Sequence, residues 1–371
     1  MTRGAGPAGG GPLDVPPGPP PLPVALDLDR RLRAMPKVEL HVHLEGATDA
    51  DAVWAMAERN GVALPARTVE EWRSFYRFRD FAHFIEVYTA AARCIRTADD
   101  WAFLAERFCA GQAAQGVVYT EAFLSASFMV APEFGPVLPA EALLDALEAG
   151  VRAGEARHGT RVRFIPDVAR HLPATQGAVL DFAVLGFDRG LFLGLGLGGP
   201  EAGYPPEPFA ATYAAARRRG LRLVAHAGET AGAASVRGAV EVLGAARIGH
   251  GVRCLEDAAV VDLLRDRRVP LEVCPTSNYR LGVVAPDAPH PVRAMVDAGL
   301  VCTLNSDDPP MFGTTLVGEY RLLAGQGFTW PELWALNRAA LDAAFLDAGE
   351  RAGYAAQYDA WSAAEGRVGA S

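Results

Sequence analysis

The sequence predicts an α/β chain closed into a (β/α)8 TIM barrel, with extra helices covering its C-terminal mouth. Three observations predict it. Eight short apolar runs recur along the chain with helix-like segments between them, the alternation of a parallel barrel. The runs are apolar throughout rather than at every second position, as strands covered on both faces are. Histidines and acids gather at the C-terminal ends of the runs, the rim where barrels carry their chemistry.

Residues 1–28 include GAGPAGGGPLDVPPGPPPLPV. This stretch is too rich in Gly and Pro to bury surface that offsets its ordering entropy, and a disordered tail is expected. Residues 29–371 are expected to form one domain. Its strand-like runs are VELHVHL (38–44), GVVYTEAFL (116–124), RVRFIPDV (161–168), LFLGLGLGG (191–199), LRLVAHAGE (221–229), ARIGHG (246–251), PLEVCPTSN (270–278) and LVCTLNSDD (300–308). Stretches such as EALLDALEAGVRAGEARHG and DAAVVDLLRDRR are amphipathic and read as the intervening helices. Residues 49–115 are too many for one crossover. They predict several helices folded over the first strand's loop, among them DADAVWAMAERNG and FAHFIEVYTAAARCIR. WPELWALNRAALDAAF and GERAGYAAQYDAWSAAE complete the outer layer. A doubly wound, two-domain fold competes. Its dinucleotide fingerprint is missing, because GLGLGGPE has a proline where the helix should begin.

Half of the 371 residues are hydrophobic, enough for a substantial core, and the net charge is −9. An acidic chain without a Lys/Arg block is a poor binder of nucleic-acid phosphates. Cys94, Cys109, Cys254, Cys274 and Cys302 are odd in number and form no CxxC pair. Buried free thiols in a reducing cytoplasm are expected. The N-terminal segment has no signal-peptide apolar core, and no apolar run approaches the ~20 residues of a membrane span.

Side chains two apart on a strand share a face. His41 and His43 in VELHVHLEG therefore point the same way, with Glu45 and Gly46 just beyond Leu44. His226 in LVAHAGE and Asp307 in LNSDDP end two other runs. Imidazoles and a carboxylate suit zinc, and such a set with room for a water makes a hydrolytic site. Glu229 follows His226 by three residues across small Ala227 and Gly228, a turn that can bring its carboxyl beside the metal. His250 sits between glycines, where backbone can approach a ligand. Adjacent residues diverge, so Asp307 and Asp308 should do different jobs. Taken singly, each histidine also reads as a core residue bonded to a carbonyl, and the Asp307–Asp308 pair as a solvated turn.

Together, PKVELHVHLEGA, HAGE, RIGHG, EVCPTSN and LNSDDP resemble the adenosine deaminase family of the amidohydrolase superfamily, over residues 36–345. The resemblance implies one Zn2+ per subunit, held by His41, His43, His226 and Asp307. It implies catalytic roles for Asp307, for Glu229 as proton donor to purine N1, and for His250, which orients and helps deprotonate the water. It implies substrate contacts from Asp308 to N7 and from the Gly199 amide to N3. The reaction it implies is hydrolytic loss of the 6-amino group as ammonia. The small-molecule partner it implies is an adenine nucleoside.

The chain departs from the adenosine pattern. It has Glu45 where adenosine enzymes have aspartate, glycine at 196 where many relatives have an acid, Pro200, and Phe123 for a common arginine. The expected substrate is therefore a 5′-modified adenosine such as aminodeoxyfutalosine, an intermediate on a route to menaquinone. Adenosine and free adenine are the alternatives. An aryl carboxylate would need a cation, and EEWRSFYRFRDF offers Arg73, Arg77 and Arg79 among aromatics. This segment reads either as such a lid, with Arg77 on the substrate, or as an ordinary helix start. A superfamily hydrolase of an ester or lactone is the rival from another class, and a binding protein that keeps the fold without catalysis is a third.

Overall fold

The structure, a computed structural model, describes residues 25–368. Residues 1–24 of the expected tail lie outside the described residues. A helix, Leu26–Ala34, begins inside that stretch, so regular structure starts before residue 29.

Eight parallel strands form one sheet in sequence order: β1 (Lys37–Glu39), β2 (Val117–Leu124), β3 (Arg161–Ala169), β4 (Gly194–Gly198), β5 (Arg222–Ala227), β6 (Arg247–His250), β7 (Leu271–Val273) and β8 (Cys302–Leu304). A parallel bridge between Val42 and Asp307, just past β1 and β8, brings the two edges of the sheet together. The chain is the expected barrel. β1 is shorter than the run 38–44 suggested. The N–H groups of Leu40 and His41 leave the ladder and donate to the Asn305 side-chain oxygen at 2.9 and 3.1 Å. His41 and His43 thus sit on extended chain just beyond the strand, stitched to both neighbours. Asp307 N–H donates to His41 O at 3.1 Å, and His43 N–H to Asp307 O at 3.0 Å.

Between β1 and β2 the chain makes four helices: Ala50–Asn60, Val69–Ser74, Phe81–Ala92 and Ala98–Ala114. Their starts are written in the sequence. Asp49, Thr68, Asp80 and Thr97 each accept a backbone N–H three residues on, a cap that contributes about 1 kcal/mol apiece. Phe81–Ala92 covers the C-terminal mouth, while Ala98–Ala114 packs against the helix Ala140–His158 in the outer layer.

The barrel interior is partly polar. Arg247 lies within 2.6 Å of Glu121 and 2.5 Å of Glu272, all three buried, and its guanidinium stacks 3.7 Å above the Phe345 ring. Buried charges persist only when paired in this way. Above them Phe123, Ile165 and Val224 form a small apolar layer beneath the rim.

Candidate active site

Each predicted metal ligand ends a strand or the extension of one, and the barrel brings them together. His41 Nε2 and His43 Nε2 lie 3.5 and 3.4 Å from Asp307 Oδ1, and His226 Nε2 lies 3.3 Å from His43 Nε2. The proton positions decide what these contacts mean. His226 Nδ1 donates to Leu197 O at 2.9 Å and His41 Nδ1 to Glu272 Oε2 at 2.8 Å. Both rings therefore turn an Nε2 lone pair inward, and His41 Nε2 is buried without a partner. Lone pairs and a carboxylate converging with no shared hydrogen leave a hole for a cation. Burial opposes charge on His41, yet the Asp307 and Glu272 carboxylates lift it to about 10. Burial, with the neighbouring rings next, holds His226 well below its ordinary value. Without a cation the two carboxylates favour a proton on His41 Nε2, a place a divalent metal would take instead, while His226 stays neutral and free to ligate.

Glu272 is the carboxylate behind the metal ligand, and EVCPTSN displayed it without marking it. Glu272→Gln is expected to keep the fold and to weaken metal binding by about 10–100-fold, read by competition with a chromogenic chelator. Unchanged affinity would leave Glu272 with the Arg247 pairing alone. Cys274 stands close to His250 and Asp307. Burial pushes its thiol far up, so it remains a thiol and a poor ligand.

His250 and Asp307 have φ of 59° and 64°. Left-handed backbone at non-glycine residues costs energy and clusters at functional sites. The frame that holds Asp307 includes Glu39, whose Oε1 accepts from Ser306 N–H at 2.8 Å and Ser306 Oγ at 2.6 Å. Glu229 Oε1 stands 3.7 Å from His250 Nε2. Burial first, then the Asp307 and Glu201 charges, hold Glu229 well above its ordinary value, the direction a proton donor needs. Its loop hangs on Glu201, a buried carboxylate that accepts N–H groups from Gly228, Glu229, Thr230 and Ala231 at 2.6–3.0 Å. Asp308 is likewise pushed up by burial and then by Asp307, and its Oδ1 is buried and unpaired. Its carboxyl occupies space left by Gly46, where a Cβ would lie 1.5 Å from Oδ1.

These groups open on a pocket enclosing about 650 Å³, part of it open to solvent, whose walls include Phe81, Phe84, Ile85, Phe128 and Leu281. Gly199, at φ 79°, lines it beside His171. Two expected substrate contacts are absent from the lining. Glu45 sits one layer back, accepting Ser125 N–H at 2.9 Å and facing the Tyr88 hydroxyl at 3.4 Å, while Ser125 and Tyr88 themselves face the pocket. Burial lifts Glu45 to about 7. Arg77 is exposed, and among the described residues no Arg or Lys lines the pocket. The covering segment packs Trp72 and Phe78 inward and turns its arginines outward, Arg73 to Asp51 at 2.5 Å. Water solvates guanidinium better than an apolar roof does.

Asp167 was missed. It ends β3 as the other site acids end their strands, and its position in RFIPDV was the available signal. It lines the pocket with Oδ1 buried and unpaired, and burial raises it well above the carboxylate range. It pairs in register with Gly196 on β4, where a Cβ would lie 1.7 Å from that Oδ1. The space beside Gly196 on β4 is thus filled by a carboxyl from β3. Phe123, in place of the common arginine, packs under the histidines at ring distances of 4.8–5.2 Å.

A parallel barrel whose C-terminal rim gathers three imidazoles and a carboxylate around a cation hole, with buried acids of raised pKa beside it, defines a metal-dependent hydrolase of the amidohydrolase type. The adenosine deaminase family matches residues 36–361, and the chain belongs to that family. It is 40% identical to an adenine deaminase of Streptomyces coelicolor over 336 residues, 89% of this chain and 96% of the relative. It superposes with a TM-score of 0.82 and 32% identity on the crystal structure of adenine deaminase from Arthrobacter aurescens, covering 89% of this chain and 99% of that one. An amidohydrolase from Burkhoderia ambifaria, solved with bound zinc, aligns with a TM-score of 0.84 and 28% identity over 94% and 96% of the two chains. The chain is a deaminase.

Proposed function

We propose that the protein is a zinc-dependent adenine deaminase that hydrolyses free adenine to hypoxanthine and ammonia. The carrying observation is Asp167, a buried carboxyl with an unpaired oxygen on the pocket wall, held well above its ordinary pKa by burial. A base bound with N1 at Glu229 and N7 at Asp308 turns its N3–N9 edge away from the metal. Asp167 is our partner for that edge, which a nucleoside would fill with ribose. The adenine deaminases similar to this chain favour the same reading. The 5′-modified nucleoside expected from the sequence has lost its cation, because the arginines face outward. A menaquinone role goes with it. The five unpaired, buried cysteines accord with a cytoplasmic setting, and among the described residues no helix is long and apolar enough to cross a membrane.

Zinc, when bound, brings the pKa of water to about 7 and so supplies a nucleophile at neutral pH. The chain does the rest. Attack at C6 breaks ring aromaticity and moves charge onto N1, where Glu229 delivers its proton. Asp308, protonated, donates to N7. The apolar roof excludes bulk water and strengthens both hydrogen bonds. An ester or lactone would leave the protonated Glu229, Asp308 and Asp167 without ring nitrogens to meet.

Loss of absorbance with adenine, adenosine and aminodeoxyfutalosine, side by side, tests the reading. The expected kcat/KM for adenine is at least about a hundredfold above either nucleoside, ~2.7 kcal/mol of transition-state binding. Asp167→Ala should lower the adenine value about tenfold or more without loss of metal. Equal turnover of a nucleoside would overturn the assignment.

A further inference from the structure

One buried chain of hydrogen bonds, outside the groups already given roles, ends on His250. It starts at a donor whose direction is fixed. The backbone N–H of Val292 donates to His290 Nδ1 at 3.1 Å. A ring nitrogen that accepts a hydrogen bond carries no proton, so His290 is a neutral imidazole protonated on Nε2. That Nε2 lies 3.1 Å from Asn278 Oδ1 and must donate to it. Asn278 therefore turns its NH2 the other way, where it lies 3.3 Å from His250 Nδ1. An amide NH2 only donates. His250 Nδ1 thus accepts, and the ring's single proton sits on Nε2. Asn278, His250 and His290 are 0, 1 and 2% exposed, so solvent does not replace any link.

The Nε2–H of His250 has no acceptor of its own on the protein. The nearest oxygens, Glu229 Oε1 and Asp307 Oδ2, stand 3.7 and 3.9 Å away, beyond hydrogen-bond reach. The N–H faces the gap between the proton donor and the metal cradle, where the attacking oxygen must pass.

We infer that the Val292 amide, acting through His290 and Asn278, locks His250 as an Nε2–H donor, so that His250 holds and orients the attacking oxygen and does not take a proton from it. The family resemblance gave His250 both tasks. The hydrogen bonds leave it the first, because a nitrogen already bearing hydrogen has no lone pair to offer. Asn278 and His290 touch neither substrate nor metal and act as positioning residues. The inference rests on the proposed function only in placing the attacking oxygen beside His250.

Two measurements test it. Nitrogen chemical shifts of 15N-histidine-labelled, metal-loaded protein read the tautomer of each of the eight histidines directly. The expected result is a proton on Nε2 of both His250 and His290. Asn278→Asp then substitutes two acceptors in nearly the same shape, which draws the His250 proton to Nδ1 and bares Nε2. kcat for adenine should fall about a hundredfold, the usual cost of one donor at a developing charge, while KM, metal content and Tm stay near wild type. A merely structural Asn278 would lower Tm and leave the tautomer alone. A wild-type His250 protonated on Nδ1 overturns the inference, as does a bared Nε2 at undiminished kcat. The wild-type spectrum needs no substitution, so it decides even if N278D fails to fold. It also does not depend on which purine is the substrate.

Discussion

Glu229→Gln is expected to keep the fold and the metal and to lose about 10²–10⁴-fold in kcat, the range for removing one general acid. Glutamine fills the same space but cannot give a proton to N1. Stability should move the other way. The unfolded chain releases the Glu229 proton near 4.5, whereas the folded chain keeps it to a much higher pH. Between those values the folded state binds more protons, so folding stability falls as pH rises through the window. Glutamine does not titrate. The variant should therefore melt above the wild type at neutral pH and level with it below about pH 4. Wild-type turnover in E229Q would remove Glu229 from proton donation. A lower Tm at neutral pH would contradict the burial cost.

Stripping the divalent metal with a chelator should abolish turnover, and one equivalent of zinc should restore it. The protein's part is already in place. Glu272 and Leu197 O take the Nδ1 protons of His41 and His226, so both Nε2 lone pairs stay committed to the cradle. A ligand that binds only the folded state stabilises it by RT ln(1 + [L]/Kd), about 4 kcal/mol at a thousandfold excess over Kd. Tm should drop on stripping and return with zinc. Full activity in protein shown by elemental analysis to be metal-free would end the metal reading.

The sequence displayed the barrel and the metal cradle because both rest on local pattern. Apolar runs of strand length and histidines at their ends need no tertiary knowledge to be seen. Glu229, His250 and Asp308 were legible for the same reason. What was hidden depends on which strand meets which, and on where side chains turn. Arg73, Arg77 and Arg79 lie among aromatics in sequence, but the short helix Val69–Ser74 and the turn after it bury Trp72 and Phe78 and leave the three arginines exposed. Glu45 lies two residues past the HxH pair, yet the chain curls there and puts it behind Ser125. Glu201, Glu272, Asn278 and His290 act through groups distant in sequence, and Asp167 is understood only against Gly196 on the adjoining strand.

That last pairing constrains how the protein could have diverged. An acid restored at position 196 would collide with the carboxyl of Asp167, since even a Cβ there would lie 1.7 Å from its oxygen. Removing Asp167 first would leave a void and an unoccupied wall. Two carboxyls would compete for one space, so substitutions at the two positions are expected to be non-additive. An acid regained at position 196 would therefore be expected to go with a change at Asp167.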